Sequence, residues 1–239
     1  MTVVEHSSSD EAFLIKAMAL CCDAELENGE AVGEPTECAL VNDALKAGMP
    51  KDQLKKAYER TGEAPFDSMR KMMSTIHTNP DGGLIQFTKG APDEVLKLCT
   101  RAYVDGREVP MTEDVKKHIL EENKNLADQA LRVLCAAYKT YDTMPEDTAP
   151  AAIEKDLIYL GLSGMIDPIR PEVKAAIAEC RSAGIRPIMI TGDHRDTAVA
   201  IAKQLGILDE GQKAITGAEL NGISDEELAQ TIQNYSVYA

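Results

Sequence analysis

Residues Ala64 to Gly90, APFDSMRKMMSTIHTNPDGGLIQFTKG, decide the fold. Met72 to His77 and Leu84 to Lys89 flank the cluster Asn79-Pro80-Asp81-Gly82-Gly83. Strand-like runs on either side of such turn chemistry predict a β-hairpin, with Ala64 to Phe66 as a further strand ahead of it. Upstream the pattern is helical. Residues 9 to 27 repeat apolar side chains at helical spacing behind a capping-type start, Ser9-Asp10-Glu11. Thr36 to Ala47 predicts a second helix stopped by Gly48, and Asp52 to Tyr58 a third. Met1 to Asp10 is expected to be a flexible end.

Downstream of the hairpin, Ala91 to Cys99 predicts a helix that tolerates Pro92 in its first turn. Ala102 to Val104 and Glu108 to Pro110 flank the tight-turn pair Asp105-Gly106. Thr112 to Ala130 predicts a long helix, capped by Thr112 and favoured by Glu113 and Asp114 in its first turn. Val133 to Thr140 and Leu157 to Gly164 read as strands around the loop Asp142 to Pro150. From Asp167 the order becomes helix (Glu172 to Ala183), buried strand (Arg186 to Thr191), helix (Asp196 to Leu205), as in an open parallel sheet. Lys213 to Thr216 reads as one more short strand and Ser224 to Gln233 as a capped helix. The expected division is residues 1–166, an antiparallel sheet flanked by helices, and residues 167–239, part of an α/β domain; the class overall is α+β.

Composition removes several functions. Hydrophobic residues at 44% and charged residues at 27% are ordinary for a chain that buries a core. Asp and Glu number 40 against 25 Lys and Arg, and a net charge of −15 repels a nucleic-acid backbone. With 4% aromatic residues and no Trp, the composition speaks against a base-stacking platform for polynucleotides. No stretch approaches the roughly 20 apolar residues of a membrane helix. The six cysteines form no C-x-x-C pair and read as buried free thiols, and the four histidines lack metal-ligand spacing. Met69, Met72, Met73 and Met144 read as packing residues.

Neither G-x-x-x-x-G-K-[ST] nor G-x-G-x-x-G occurs, so the two common phosphate loops are absent. No Ser/His/Asp spacing points to a hydrolase triad. Other stretches stand out by their order and spacing. They are Gly33-Glu34-Pro35-Thr36-Glu37-Cys38-Ala39-Leu40, Phe66-Asp67-Ser68-Met69-Arg70-Lys71-Met72-Met73-Ser74, Lys89-Gly90-Ala91-Pro92-Asp93, Asp167-Pro168-Ile169-Arg170-Pro171 and Ile190-Thr191-Gly192-Asp193. Together they resemble the nucleotide-binding domain of P-type cation-transporting ATPases, followed by the middle of the phosphorylation domain, closest to the calcium-pump branch. The resemblance runs from about Glu11 to the C-terminal region. It implies a nucleotide-binding domain over residues 1–166 and a partial haloacid-dehalogenase-like phosphorylation domain over residues 167–239.

The residues support this one by one. Phe66 ends a strand beside a turn, where an aromatic face can stack on a base; a core phenylalanine is the competing reading. The chain has only three Phe, and this one stands between Pro65 and Asp67, which favours the first. By resemblance it is the adenine-stacking residue. Lys71 and Lys89 fall on neighbouring strands, where an ammonium reaches nucleotide oxygens as a point charge or is simply solvated. The resemblance makes Lys89, with Gly90, the start of the family's Lys-Gly-Ala motif, and Lys71 the lysine of its Phe-x-Ser-x-Arg-Lys stretch. Lys89→Ala is accordingly expected to weaken binding with little loss of stability. Glu37 is by resemblance the acceptor of the adenine amino group, and by position a first-turn carboxylate favoured by the helix dipole. Arg132, at a strand start, contacts phosphates by resemblance, or forms a surface salt bridge. Ser68 departs from the pattern: some calcium pumps carry arginine there, which bears on one phosphate or second-ion contact and not on adenine binding. Thr191, Gly192 and Asp193 follow a strand at its C-terminal end, where open α/β sheets bind ligands, and by resemblance line the phosphoryl pocket. Asp167 and Arg170 match the family's hinge; Asp167-Pro168 is also good helix-start chemistry.

The family's phosphorylated aspartate lies in Asp-Lys-Thr-Gly-Thr, and a magnesium ligand in Gly-Asp-Gly-x-Asn-Asp; neither run occurs here. The chain therefore reads as a cytoplasmic, ATP-binding fragment of an integral plasma-membrane pump, with calcium as the transported ion that the resemblance implies. It is expected to be inactive alone, with Mg2+ needed in the intact pump. The implied partners are the actuator domain, the rest of the phosphorylation domain and the membrane helices. The open sheet edge at Arg186 to Thr191 is expected to allow self-association and to leave this half the less stable. Two other readings compete. One is a haloacid-dehalogenase-type hydrolase with residues 1–166 as its cap, which needs an Asp-x-Asp-x-Thr/Val-like loop that is not found. The other is a non-catalytic nucleotide-binding module.

Overall fold

The computed structural model describes residues 1–129, 131–167, 169–192 and 195–239. It divides into two compact units, Met1–Leu126 with Arg132–Asp167, and Ala127–Leu131 with Pro168–Ala239.

The first unit opens on a strand where a flexible end was expected. β1 (Thr2–Ser7) buries Val3 and finds its partner far along the chain, which no local pattern reveals. α1 (Glu11–Leu20) starts where the Asp10 side chain accepts the Phe13 amide at 2.9 Å. It ends sooner than its apolar run. Beyond Cys21 the chain enters a small hairpin, β2 (Glu25–Glu27) and β3 (Glu30–Val32), turned by Asn28 and Gly29 at φ 52° and 84°. Asn-Gly is the pair that tolerates two successive positive φ angles, and it overrides the helical spacing. α2 (Pro35–Lys46) is capped by Glu34, whose carboxylate accepts the Thr36 amide at 2.8 Å, and α3 (Lys51–Ala57) follows.

The main strands come next: β4 (Arg60–Asp67), β5 (Met72–Thr78) and β6 (Leu84–Gly90). α4 (Pro92–Val95) and one 3-10 turn occupy the segment expected to be helical to Cys99, because Cys99 already belongs to β7 (Cys99–Val104). β8 (Arg107–Pro110), α5 (Glu113–Asp128), β9 (Arg132–Tyr141), α6 (Pro150–Ile153) and β10 (Leu157–Ile166) complete the set. Among the described residues the strands form one sheet in the order β4-β5-β6-β9-β10-β7-β8, with β1 also on β10. The sheet is mixed, not antiparallel: β7 runs parallel to β10 at its first residues, and β1 antiparallel to the rest of the same edge. The connection from β7 to β10 contains β8, α5 and β9, long enough for the crossover that parallel pairing requires.

The two faces of the β5–β6 pair differ. On one, Met73 and Phe87 pack with Leu14 and Met18 of α1 and with Leu40 of α2. Each such side chain contributes roughly 1.5–3 kcal/mol by leaving water. The other carries a polar layer: Ser74 and Thr88 hydroxyls at 2.8 Å, and the Gln86 amide donating to Thr88 at 3.0 Å and accepting from the Tyr141 hydroxyl at 2.6 Å. Of the methionines expected to pack, Met72 and Met73 are buried; Met69, in the turn after β4, is exposed, and Met144, in the loop after β9, is partly exposed with its methyl against Gly62.

In the second unit α7 (Pro171–Ser182) begins after Arg170, which caps by position with no side-chain bond. Asp167 does not cap it: Pro171 at the first helical position supplies the preset φ instead. β11 (Met189–Ile190), α8 (Arg195–Leu205), β12 (Lys213–Ile215), α9 (Gly217–Leu220), α10 (Asp225–Thr231) and β13 (Tyr235–Tyr238) follow. The strands are parallel in the order β11-β13-β12. The run Arg186 to Thr191, expected to be a buried strand, has two ladder pairs among the described residues, at Met189 and Ile190, and Ile190 is 81% exposed. Among the described residues it neighbours one strand, β13, a four-residue strand that the sequence alone does not announce. Ile177, Ala198, Ala202 and Val237 form the core of this unit.

Two outcomes follow. In hydrogen exchange, the amides of Met189 and Ile190 are expected to exchange faster than those of Leu84 to Lys89; equal protection would mean a further strand covers β11. The second concerns His77, buried on the α1 side of β5, with Nδ1 3.1 Å from the Tyr58 carbonyl and Nε2 2.8 Å from the Thr75 hydroxyl. The carbonyl only accepts, so Nδ1 carries the proton. Burial is the chief cause that pushes the His77 pKa down to about 4. Between pH 6.5 and about 4 the unfolded chain binds a proton that the folded one refuses. Stability is therefore full above this window and falls by about 3 kcal/mol through it as pH drops. His77→Gln should flatten that part of the pH–stability curve in chemical denaturation.

Candidate functional site

Register gathers one group of candidates at one end of the large sheet. Asp67 pairs with Met72, Met72 with Gly90 and Gly90 with Cys135, three residues from Arg132. The ends of β4 and β6 thus meet the beginnings of β5 and β9.

Phe66 sits in a β-bulge. Ala64 pairs with Ser74 and Asp67 with Met72, so Pro65 and Phe66 together oppose the single residue Met73. Proline lacks the N–H a ladder needs and is accommodated at bulges and on edge strands; β4 is both bulged and at the edge. The bulge puts Phe66 on the face of Met73, which Lys89 shares through its own pairing with Met73. Phe66 is 62% exposed, so it is no core residue.

Lys71 lies in the turn rather than on a strand. The Asp67 carboxylate accepts the amides of Met69 at 2.7 Å and Arg70 at 3.2 Å, and these bonds, the Arg70 one foremost, hold its pKa below the usual value. Lys71 takes φ 57°, uncommon for a side chain other than Gly, Asn or Asp, and its ammonium is exposed. Its carbonyl accepts the Ala91 amide at 2.9 Å. Gly90 is fixed by that approach: a Cβ there would stand 2.5 Å from the Lys71 carbonyl oxygen.

Lys89 is not a surface lysine. It is 6% exposed, and its ammonium donates to Glu37 Oε1 at 2.6 Å and lies 2.9 Å from Met73 Sδ. Burial pulls its pKa down; the Cys22 and Cys21 sulfurs and the Glu37 carboxylate pull it up and prevail, leaving it above the ordinary lysine value. With both thiols buried and their own pKa values raised, Glu37 is the charge that matters at neutral pH. Glu37 Oε2 accepts the amides of Asp23 at 2.8 Å and Ala24 at 2.9 Å. A carboxylate offers about four acceptor directions, so about one remains for a ligand donor. Arg132, exposed, donates to the Thr36 hydroxyl at 3.3 Å and makes no ion pair among the described residues. It brings a guanidinium beside the first turn of α2. Ser68 is exposed in the same turn as Lys71.

The remaining candidates are not part of this group. Asp167 is exposed, 4.0 Å from the terminal amine of Met1. Arg170, Thr191 and Gly192 belong to the second unit; the Thr191 amide donates to the Tyr238 carbonyl at 2.9 Å, and Asp193 lies outside the described residues. Met73 and Thr36 were missed as members of the site. The alternation that puts Met73 on the face of Lys89 was its available signal; Thr36 meets Arg132 across 96 residues and had none.

Residues 12–172 match a family described as P-type ATPase, cytoplasmic domain N. The chain belongs to the P-type ATPases. It is similar to calcium-transporting ATPase 1 of Bacillus cereus, 47% identical over 229 residues, covering 96% of this chain and 26% of that protein. It is 42% identical over 241 residues to the calcium-transporting ATPase of Bacillus subtilis, covering 100% of this chain and 27% of that protein. A probable plasma membrane-type calcium-transporting ATPase 9 of Oryza sativa is 37% identical over 209 residues, covering 87% of this chain and 20% of that protein. The chain thus spans about a quarter of the length of the bacterial P-type ATPases it matches. Among the described residues no helix is long and apolar enough to cross a membrane.

The enclosed pair overturns the expectation that Lys89 can be truncated freely. Removing one partner leaves the other charged in a poorly solvated site, at a cost of about 3 kcal/mol or more. Glu37→Gln and Lys89→Ala should each lower the denaturant midpoint at pH 7, and an unchanged midpoint for both would show that the pair contributes nothing.

Proposed function

We propose that this chain is the ATP-binding domain, with part of the phosphorylation domain, of a calcium-transporting P-type ATPase. The observation that carries this is the gathering of an exposed aromatic face, Phe66, with Lys71, Arg132 and the Lys89–Glu37 pair at one end of one sheet.

The donor set fits a nucleoside triphosphate. Phe66 offers a ring for the base to stack on. Glu37 keeps about one acceptor direction for the adenine amino group, with Lys89 beside it holding its orientation. Lys71 and Arg132 are exposed cations for the phosphates, the first as a point charge and the second as a fork. Gly90 keeps the floor low where the β6 backbone passes Lys71. These residues bind and orient; they include no nucleophile. Among the described residues no group of three or more His, Cys, Asp or Glu is placed to hold a metal ion. In the whole pump, positioning by this domain would serve phosphoryl transfer to the aspartate of Asp-Lys-Thr-Gly-Thr, and Thr191 to Asp193 would line the phosphoryl pocket. Asp167 and Arg170 would form the hinge between the domains. The parent protein would be an integral membrane pump, with calcium as the cargo favoured by its relatives' names.

ATP titration should shift the amide resonances of Phe66, Lys71, Gly90 and Glu37, and Phe66→Ala should cost about 1 kcal/mol of affinity. No acid-stable label should pass to the chain from γ-labelled ATP. Shifts confined to other residues would move the site, and a stable acyl-phosphate would refute the division of labour.

A further inference from the structure

Behind the bulge that aims Phe66 stands a part-buried ion pair for which the nucleotide site has no direct use. Glu154, just after α6, has a side chain 5% exposed. Arg70, in the β4–β5 turn, donates one terminal nitrogen to both Glu154 oxygens, at 2.5 and 2.6 Å. Its other terminal nitrogen donates to the Pro65 carbonyl at 2.6 Å. Glu154 is itself tied to the sheet, since the Ser74 hydroxyl donates to it at 3.0 Å and Ser74 bonds Thr88 at 2.8 Å. Ile153, next to it, packs on Ala64 and Ile76. A continuous path therefore runs from the polar layer of β5 and β6 through Glu154 and Arg70 to the carbonyl of the residue before Phe66.

We propose that Arg70 and Glu154 are positioning residues for the adenine end of the site, acting through Phe66. The bulge leaves Pro65 and Phe66 opposite one residue, so the ladder alone does not fix the Phe66 backbone. The guanidinium supplies the missing restraint. It can bridge carboxylate and carbonyl because its nitrogens are held in one plane, and because a partner charge in the protein interior keeps it there. A lysine could satisfy Glu154 but would not reach both groups in that geometry. The face that Phe66 presents to a base is thus set by a carboxylate 84 residues from Arg70. This rests on the proposed stacking role of Phe66 for its functional meaning, though the restraint itself does not.

The test is a cycle of Arg70→Lys, Phe66→Ala and the double variant in the full chain. Its readouts are ATP affinity and the Phe66 ring resonances, which are easily assigned among three Phe. Phe66→Ala should weaken ATP about fivefold. Arg70→Lys should weaken it by no more than that and shift or broaden the Phe66 ring signals. In the Phe66→Ala background, Arg70→Lys should cause no further loss. Equal loss in both backgrounds would mean that Arg70 touches the nucleotide or acts globally, and would overturn the proposal. So would unchanged ring signals, whatever the affinity does, or unchanged affinity in a chain that binds ATP. If the wild-type chain does not bind ATP, the nucleotide assignment fails and the ring signals alone decide the restraint. Should Arg70→Lys not fold, Glu154→Gln replaces it with the same readouts and the same overturning results.

Discussion

An ammonium group as enclosed as that of Lys89 keeps its charge only beside an anion, and Glu37 is that anion. The same carboxylate takes the amides of Asp23 and Ala24, just past the end of α1. One side chain therefore joins the end of β6, the first turn of α2 and the exit of α1, three segments scattered along the sequence. The α2 start has its own reasons to be where it is, Glu34 as cap and Pro35 at the first position, but Glu37 decides which part of the sheet it faces. Arg132 and Thr36 meet beside it as a result. Phe66, Lys71, Gly90 and Arg132 lie at the end of the sheet where Lys89 sits.

The β5–β6 hairpin divides its labour by face. Alternation sends Met73, Phe87 and Lys89 toward α1 and α2, and Ser74, Gln86 and Thr88 toward the polar layer. Apolar packing can supply rigidity to the first face without direction. Hydrogen bonds supply direction to the second, where Glu154 and Arg70 need it. The bulge at Pro65 and Phe66 is where the two sets of constraints meet, since it transfers a residue from one side of the edge strand to the other.

Local chemistry made much of this legible. The hairpin between Met72 and Lys89, the α2 helix and the Asp105-Gly106 turn all rest on interactions within a few residues, and the sequence shows them. β1 and β13 do not, because their strand character comes from partners distant in the chain, Ile166 and Met189 among them. The early end of α1 was readable in Asn28-Gly29, whose turn preference outweighs apolar spacing. For the site, residue types were legible and burial was not. A lysine is exposed by default, and nothing near Lys89 in sequence announces Glu37. Pro65 inside a strand pattern was a sign of the bulge. Glu154 carried no local sign at all, since its role comes from an ion pair across 84 residues.

The pairing of β1 with β10 carries a consequence for how the chain is made. Thr2 lies against Ile166, so a strand made ahead of the rest of its unit is nearly the last in it to find a partner. Until β10 emerges, β1 and the site-bearing strands β4, β5 and β6 lack the far half of their sheet, and the cost of closing so long a loop is met only at the end. α1 covers Phe87 and Leu160 alike, so its apolar face too waits for the late strand. Synthesis of this unit is thus prolonged exposure followed by one late closure, a stage at which nascent-chain chaperones have most to hold.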